Sequence, residues 1–190
     1  MPLRVISGTA CGLHLKSPKR HALRPTQDRI RQVIFSSLAE LVPGARVLDL
    51  FAGTGSFGIE ALSRGAASAI FIEQDAEAVQ CIRDNLAHCH LQGDVRQTDA
   101  LAYLGRPPSE QFDLIFADPP YVKSRGSLDN DPLLARLIPF LMPKGLFIWE
   151  HYAGQRLENA LPWEIIRHRS YGETALTFLR NLHKNKKISL

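Results

Sequence analysis

Between Arg46 and Leu62 the spacing of apolar residues changes from that of a short buried strand to that of a helix, and three glycines mark the change. The stretch reads Asp49-Leu50-Phe51-Ala52-Gly53-Thr54-Gly55-Ser56-Phe57-Gly58. A strand over residues 46–50 therefore runs through a glycine turn into a helix that carries Phe57, Ile59, Ala61 and Leu62 on its apolar face. Gly53 and Gly55 permit backbone angles that a side chain forbids, so the main chain can approach a ligand until its N–H groups contact it. Gly58 allows the helix to pack closely on the strand.

Gly53-x-Gly55-x-x-Gly58 is a literal match to the dinucleotide fingerprint, and Glu73 falls near the end of the next strand, where an acid can hold ribose hydroxyls. Asp49 changes the reading. A carboxylate at the mouth of the first strand suits S-adenosylmethionine, which presents an ammonium there, better than a nicotinamide dinucleotide, which presents a pyrophosphate.

The remaining chain alternates regularly. Strands are expected over residues 69–73, 95–98, 112–117 and 145–150, with helices over 76–90, 100–104 and 132–141 between them. Residues 163–168 and 174–179 read as a terminal antiparallel pair around Tyr171-Gly172. This is the pattern of a doubly wound, Rossmann-like α/β sheet, mostly parallel with antiparallel structure near the C-terminus, in which ligands bind beyond the carboxyl ends of the strands. Asp49, Glu73 and Asp118 lie at such ends. Asp99, just past the third strand, is placed to accept a hydrogen bond from an adenine amino group, whereas Asp75 and Asp94 read as solvated surface charges.

Ahead of this core, residues 3–7 and 12–16 form an expected hairpin through Gly8-Thr9-Ala10-Cys11. A helix follows with Thr26 as N-cap and Ile30, Val33, Ile34, Leu38 and Leu41 at helical spacing. The domain reading is a basic arm over residues 1–25, the catalytic domain over 26–182, and a basic tail over 183–190. Residues 1–31 hold seven lysines and arginines against Asp28 alone, although the whole chain is only +4. That asymmetry fits contact with a phosphate backbone. Arg24, Arg29 and Arg31 crowd the start of a helix, where the macrodipole disfavours cations, which points to an anionic ligand. Three cysteines without CxxC spacing indicate neither a disulfide framework nor a metal site. No apolar run is long enough for a bilayer and no signal pattern opens the chain, so a cytoplasmic location is expected; a monomer is expected as the default, since nothing in the sequence fixes the oligomeric state.

Immediately after an apolar strand comes Asp118-Pro119-Pro120-Tyr121. Proline lacks an N–H and holds its φ, so the carbonyls of this corner are fixed acceptors. The Asp118 carboxylate and Pro119 carbonyl together match the two N–H donors of a base's exocyclic amino group, and Tyr121 offers a ring to stack on the base. Such a nitrogen is a poor nucleophile because its lone pair is delocalised, and preorganised acceptors favour the charge that develops as it attacks. No metal is needed.

With both motifs in place, the chain resembles the class I S-adenosylmethionine-dependent methyltransferases that methylate amino groups. More narrowly it is similar to the RsmD family, bacterial guanine-N2 methyltransferases of 16S ribosomal RNA, through Leu23-Arg24-Pro25-Thr26-Gln27-Asp28-Arg29-Ile30-Arg31, Ala61-Leu62-Ser63-Arg64-Gly65-Ala66 and Tyr171-Gly172-Glu173-Thr174. The resemblance implies a cofactor site lined by Asp49, Phe51, Gly53, Gly55, Glu73, Asp99 and the Asp118 region. It further implies a target pocket or RNA approach shaped by Arg24, Thr26 and Arg29, and a substrate RNA carried within a small-subunit particle. The first hairpin has Thr9, Ala10, Cys11 and Leu13 where the family carries basic or aromatic residues, which shifts the expected RNA contact to Arg4, Lys16, Lys19 and Arg20. The rivals are an amino methyltransferase acting on DNA or another RNA, a nicotinamide-dependent oxidoreductase, and a non-catalytic RNA-binding protein.

Overall fold

A computed structural model describes residues 3–18, 26–120 and 126–182, with only the backbone described at Thr26 and Gln27. The chain divides into two units, residues 1–100 and 101–190. The main sheet has seven strands, three in the first unit and four in the second.

The first unit runs α1 (Thr26–Ser37), β1 (Arg46–Leu50), α2 (Ser56–Ser63), β2 (Ser68–Glu73), α3 (Ala76–His88) and β3 (Asp94–Gln97). Its strands are parallel in the order β3-β2-β1, with Leu50 opposite Ile72 and Glu73 opposite Gln97. Successive residues of β1 and β2 are buried, as strands covered on both faces require, while the polar β3 is not. Asp75 is exposed, as expected for a solvated charge, and also caps α3 by accepting from the Ala78 N–H at 2.9 Å. The same helix ends at His88, two residues before the expected end, because His90 takes a left-handed φ of 54°.

Residues 3–18 form a hairpin joined by a single Arg4–His14 bridge rather than by two full strands. What holds it is α2. Glu60, buried in that helix, accepts from the N–H groups of Ile6 at 2.8 Å and Ser7 at 3.1 Å, and Ser63 Oγ accepts from Ala10 N at 3.0 Å. Glu60 also accepts from Arg64 at 2.7 Å, and Arg31 Nε lies 3.8 Å away. Arg31 is itself buried and donates to Asp28 at 2.9 Å and to the Arg4 carbonyl. Burial pulls its pKa below the usual arginine value, against the opposing pull of Glu60 and Asp28. The expectation that this cation awaits an anionic ligand is therefore corrected, since the protein's own carboxylates surround it. Two other expectations change here: Thr26 is the first helical residue rather than the cap, and Leu41 lies beyond the helix, half exposed.

The second unit runs α4 (Ala100–Leu104), β4 (Phe112–Ala117), β5 (Gly126–Ser127), α5 (Pro132–Leu137), a 3₁₀ turn (Ile138–Phe140), β6 (Leu141–Tyr152), β7 (Gln155–Arg156), β8 (Trp163–Tyr171) and β9 (Thr174–Asn181). Its part of the main sheet is ordered β4-β6-β9-β8, parallel between β4 and β6 and antiparallel thereafter. β5 and β7 form a separate parallel pair. The helix expected to reach residue 141 stops at Leu137, and β6 begins four residues before its expected start. Pro139, which has no N–H to continue the helical ladder, sits in the 3₁₀ turn between them.

In this unit Thr177 Oγ1 lies 2.8 Å from His151 Nε2 and 2.9 Å from His168 Nδ1. His151 Nδ1 faces the Tyr152 carbonyl at 3.1 Å, so we assign its proton to Nδ1 and make Nε2 the acceptor of the Thr177 hydroxyl. Burial lowers the His151 pKa. Folded His151 thus binds fewer protons than the unfolded chain. Its contribution is fully present above the ordinary histidine value near 6.5 and is lost as pH falls from there through the lowered folded value. Urea midpoints measured from pH 7.5 to 5.5 should decline, and His151→Gln should flatten that decline.

Candidate functional site

In the first unit the glycine turn is held by two carboxylates from neighbouring strands. Asp49, next to last in β1 and 1% exposed, accepts from the Gly58 N–H through Oδ2 at 2.9 Å. The N-cap of α2 is Gly55, which has no side chain to cap with, so Asp49 performs that task from the strand. Glu73, the last residue of β2, accepts from Gly53 N at 2.8 Å with Oε2 and from Asp75 N at 2.9 Å with Oε1. Gly55 N donates to Ala52 O at 2.7 Å within the turn. All three glycine N–H groups are therefore committed to protein acceptors. The expectation that those of Gly53 and Gly55 reach a ligand is corrected.

The glycines also differ in what surrounds them. At Gly53, with φ of 53°, an added Cβ meets only the Phe51 carbonyl at 3.9 Å, so this position is open to a close approach. At Gly55 a Cβ falls 3.1 Å from Ile82, and at Gly58 one falls 2.3 Å from the Phe71 ring, so both serve packing. Phe51 itself holds φ at 56°, a left-handed conformation that is strained for an aromatic residue and of the kind found where backbone serves a ligand. Each oxygen of Asp49 and Glu73 has acceptor capacity beyond one N–H, which suits ammonium and hydroxyl donors. An open face at Gly53, flanked by two fixed carboxylates, fits S-adenosylmethionine. Asp99 follows β3 and is exposed.

Asp118 and Pro119 follow β4 in the second unit, both half-buried, and Pro120 is exposed. Tyr121, Lys19, Arg20, Arg24 and residues 183–190 lie outside the described residues, as does the Thr26 side chain. Arg29 is exposed on α1. The Lys16 ammonium is exposed and pairs with Asp84 at 3.1 Å, and Gln80 first, then Lys16, holds that carboxyl below its usual pKa. Cys11 is exposed, Cys81 and Cys89 are buried, and none is bridged. Among the described residues no helix is long and apolar enough to cross a membrane.

Two residues the motifs did not single out organise the first unit: Glu60 and Asn85. The Glu60–Arg64 spacing of four was a legible signal for an ion pair. Asn85 shares a helical face with buried Ile82 and Leu86, and a polar residue on an apolar stripe marks a buried hydrogen-bonding role.

Residues 3–180 match the model of the family described as conserved hypothetical protein 95. The chain belongs to this family. It is the RsmD family to which the motifs pointed. Ribosomal RNA small subunit methyltransferase D of Escherichia coli (strain K12) is 34% identical over 180 residues, covering 91% of this chain and 87% of that protein. The solved structure of Escherichia coli yhhF, described as a methyltransferase, superposes with a TM-score of 0.82 at 29% identity, covering 95% of this chain and 98% of that one. SMU.776, described as a methyltransferase complexed with SAH, gives a TM-score of 0.64 at 16% identity over 83% of this chain and 50% of its own, a likeness of fold. The fold is thus the mixed seven-stranded sheet of class I methyltransferases.

Replacing Glu73 by Ala leaves the Gly53 and Asp75 N–H groups without their acceptor and removes one of the two carboxylates from the turn. Affinity for S-adenosylhomocysteine, read by calorimetry, should fall by about tenfold or more, the scale of losing a charge-assisted hydrogen bond of ~1.5–3 kcal/mol. Unaltered affinity would separate Glu73 from the cofactor.

Proposed function

We propose that this chain transfers a methyl group from S-adenosylmethionine to the exocyclic N2 of a guanine in 16S ribosomal RNA. The observation that carries this is the occupation of the turn. A dinucleotide fold presents the N–H groups of its glycine turn and helix start to pyrophosphate. Here those of Gly53 and Gly58 face Glu73 and Asp49, and a pyrophosphate would meet two carboxylates where it needs donors. The same carboxylates favour a ligand carrying an ammonium and ribose hydroxyls. An oxidoreductase reading therefore fails at the turn, and a non-catalytic RNA-binding protein has no use for it.

When bound, the cofactor supplies a methyl group on a sulfonium, an electrophile that needs no metal. The chain's own residues do the rest. Asp49, Phe51, Gly53, Gly55, Glu73 and Asp99 hold the cofactor. Asp118 and the Pro119 carbonyl accept hydrogen bonds from the two amino N–H groups of the guanine, turning the nitrogen lone pair away from its ring and stabilising the positive charge that grows on nitrogen as its bond to the methyl carbon forms and the carbon–sulfur bond breaks; one proton then leaves the methylated nitrogen through Asp118. Tyr121 stacks on the base. Holding the two reactants in line is worth up to roughly 7–11 kcal/mol in well-oriented systems. Arg24, Thr26 and Arg29 position the target nucleotide, and Lys16, Lys19 and Arg20 contact phosphates, which orient the RNA without reading its sequence. The substrate RNA is carried in a small-subunit particle, and the enzyme acts as a monomer.

The reading is tested by incubating 16S RNA, free and in the small-subunit particle, with the protein and labelled cofactor, then digesting to nucleosides for mass spectrometry. N2-methylguanine is expected; label in adenine would move the substrate to the rival class. Asp118→Ala should reduce turnover by about 10²–10³-fold, the range for losing one preorganised contact to developing charge, while cofactor affinity stays within a few-fold. Replacing Lys16, Lys19 and Arg20 together by Ala should flatten the salt dependence of RNA binding by about 0.7–0.9 log units for each lost phosphate contact. A slope unchanged in that triple variant would leave the arm as a solvated charged surface.

A further inference from the structure

Asn85, fully buried in α3, makes three hydrogen bonds that join two separate segments of the first unit. Its Oδ1 accepts from Lys16 N at 2.8 Å, and its Nδ2 donates to Lys16 O and to Thr54 O, both at 3.0 Å. Cys81, one turn earlier on the same helix, adds a contact from Sγ to Lys16 O at 3.2 Å. The two bonds to Lys16 pair a planar side-chain amide with a backbone residue, which sets the orientation of the carboxamide. Its second N–H then has one direction left, and Thr54 O lies there. Thr54 is the residue between Gly53 and Gly55, and Lys16 opens the basic run toward Lys19 and Arg20.

We propose that Asn85 is a positioning residue that couples the arm to the cofactor turn, so that RNA held at the arm and S-adenosylmethionine held at the turn each tighten the binding of the other. The inference rests on the functional reading above and adds a regulation that the reading does not contain. One rigid amide serves both segments. If RNA stiffens the backbone at Lys16, the carboxamide is held in the orientation that fixes the Thr54 carbonyl; if the cofactor stiffens the turn, the same group holds Lys16. Coupling of this kind is reciprocal by thermodynamic necessity.

The test measures S-adenosylhomocysteine affinity with and without 16S RNA or the small-subunit particle, and RNA affinity with and without S-adenosylhomocysteine. In the native protein each ligand should strengthen the other by the same factor, about fivefold, the scale of one hydrogen bond. In Asn85→Asp, whose carboxylate faces the Lys16 and Thr54 carbonyls without a donor, and in the uncharged Asn85→Ser, the factor should fall to about one while each ligand still binds alone. A merely structural role would lower the melting temperature and both affinities but leave the factor intact. A factor of one in the native protein, or an unchanged factor in a folded variant, overturns the coupling and leaves the functional reading standing. Failure of the native protein to bind S-adenosylhomocysteine or RNA overturns both. Should neither variant fold, amide exchange in the native protein decides: S-adenosylhomocysteine should slow exchange at the Lys16 N–H by about threefold or more, and an unchanged rate overturns the proposal.

Discussion

A glycine turn between a strand and a helix creates N–H donors that must find acceptors, and in this chain the acceptors are carboxylates borne by the strands on which the turn rests. Asp49 takes the Gly58 N–H and Glu73 takes that of Gly53. Each bond does two things. It satisfies a backbone group that would cost about 1–3 kcal/mol if left buried and unpaired, and it fixes a negative charge at the turn. The left-handed Phe51 costs on the order of 1–3 kcal/mol, which these charge-assisted bonds offset. Ligand preference thus follows from the way the turn is held together: the same contacts that commit its glycine N–H groups place carboxylates where a phosphate would need donors.

The second constraint is Glu60. Burying a carboxylate with two arginines nearby is weak evidence of net stabilisation, because desolvation opposes the attraction. Its value lies in placement. Glu60 binds backbone N–H groups of Ile6 and Ser7 and lies beside Arg31, which reaches the Arg4 carbonyl. Three parts of the first unit, the hairpin, α1 and α2, thereby acquire a single arrangement around one buried charge. Removing one partner of such a cluster would leave the others unpaired at a cost of roughly 3–5 kcal/mol.

The alternation of strands and helices was legible in the sequence because apolar period reports burial directly. β1, α4 and β4 fall on their expected residues, and the antiparallel ending turns at Gly172 as expected. What sequence spacing could not show was who satisfies whom. Gly55 and Gly53 look alike in a motif, yet one faces Ile82 and the other open space, a difference made by a helix nearly thirty residues further on. Arg31 read as a spare cation at a helix start because Glu60 is distant in the chain. Asp75 read correctly as solvent-facing, but not as a cap, because a cap differs from a plain surface acid only in the backbone it meets. The helix expected to reach residue 141 failed for a local reason that Pro139 carried openly, outvoted by the apolar period around it.

The arm shows how these two kinds of information divide. Residues 3–18 are fastened by buried apolar side chains and through their backbone: Ile6, Ser7 and Ala10 by side chains of α2, and Lys16 by Asn85 of α3. Fastening by backbone leaves the choice of side chain open. Leu3, Val5, Ala10 and Leu15 are buried, but Arg4, His14 and Lys16 stay exposed while the main chain beneath them is held in place. A cation on an ordered backbone loses less freedom on meeting a phosphate than one on a loose chain. The anchors on α2 and α3 thus determine where the positive charge of Arg4 and Lys16 sits, the latter beside Asp84.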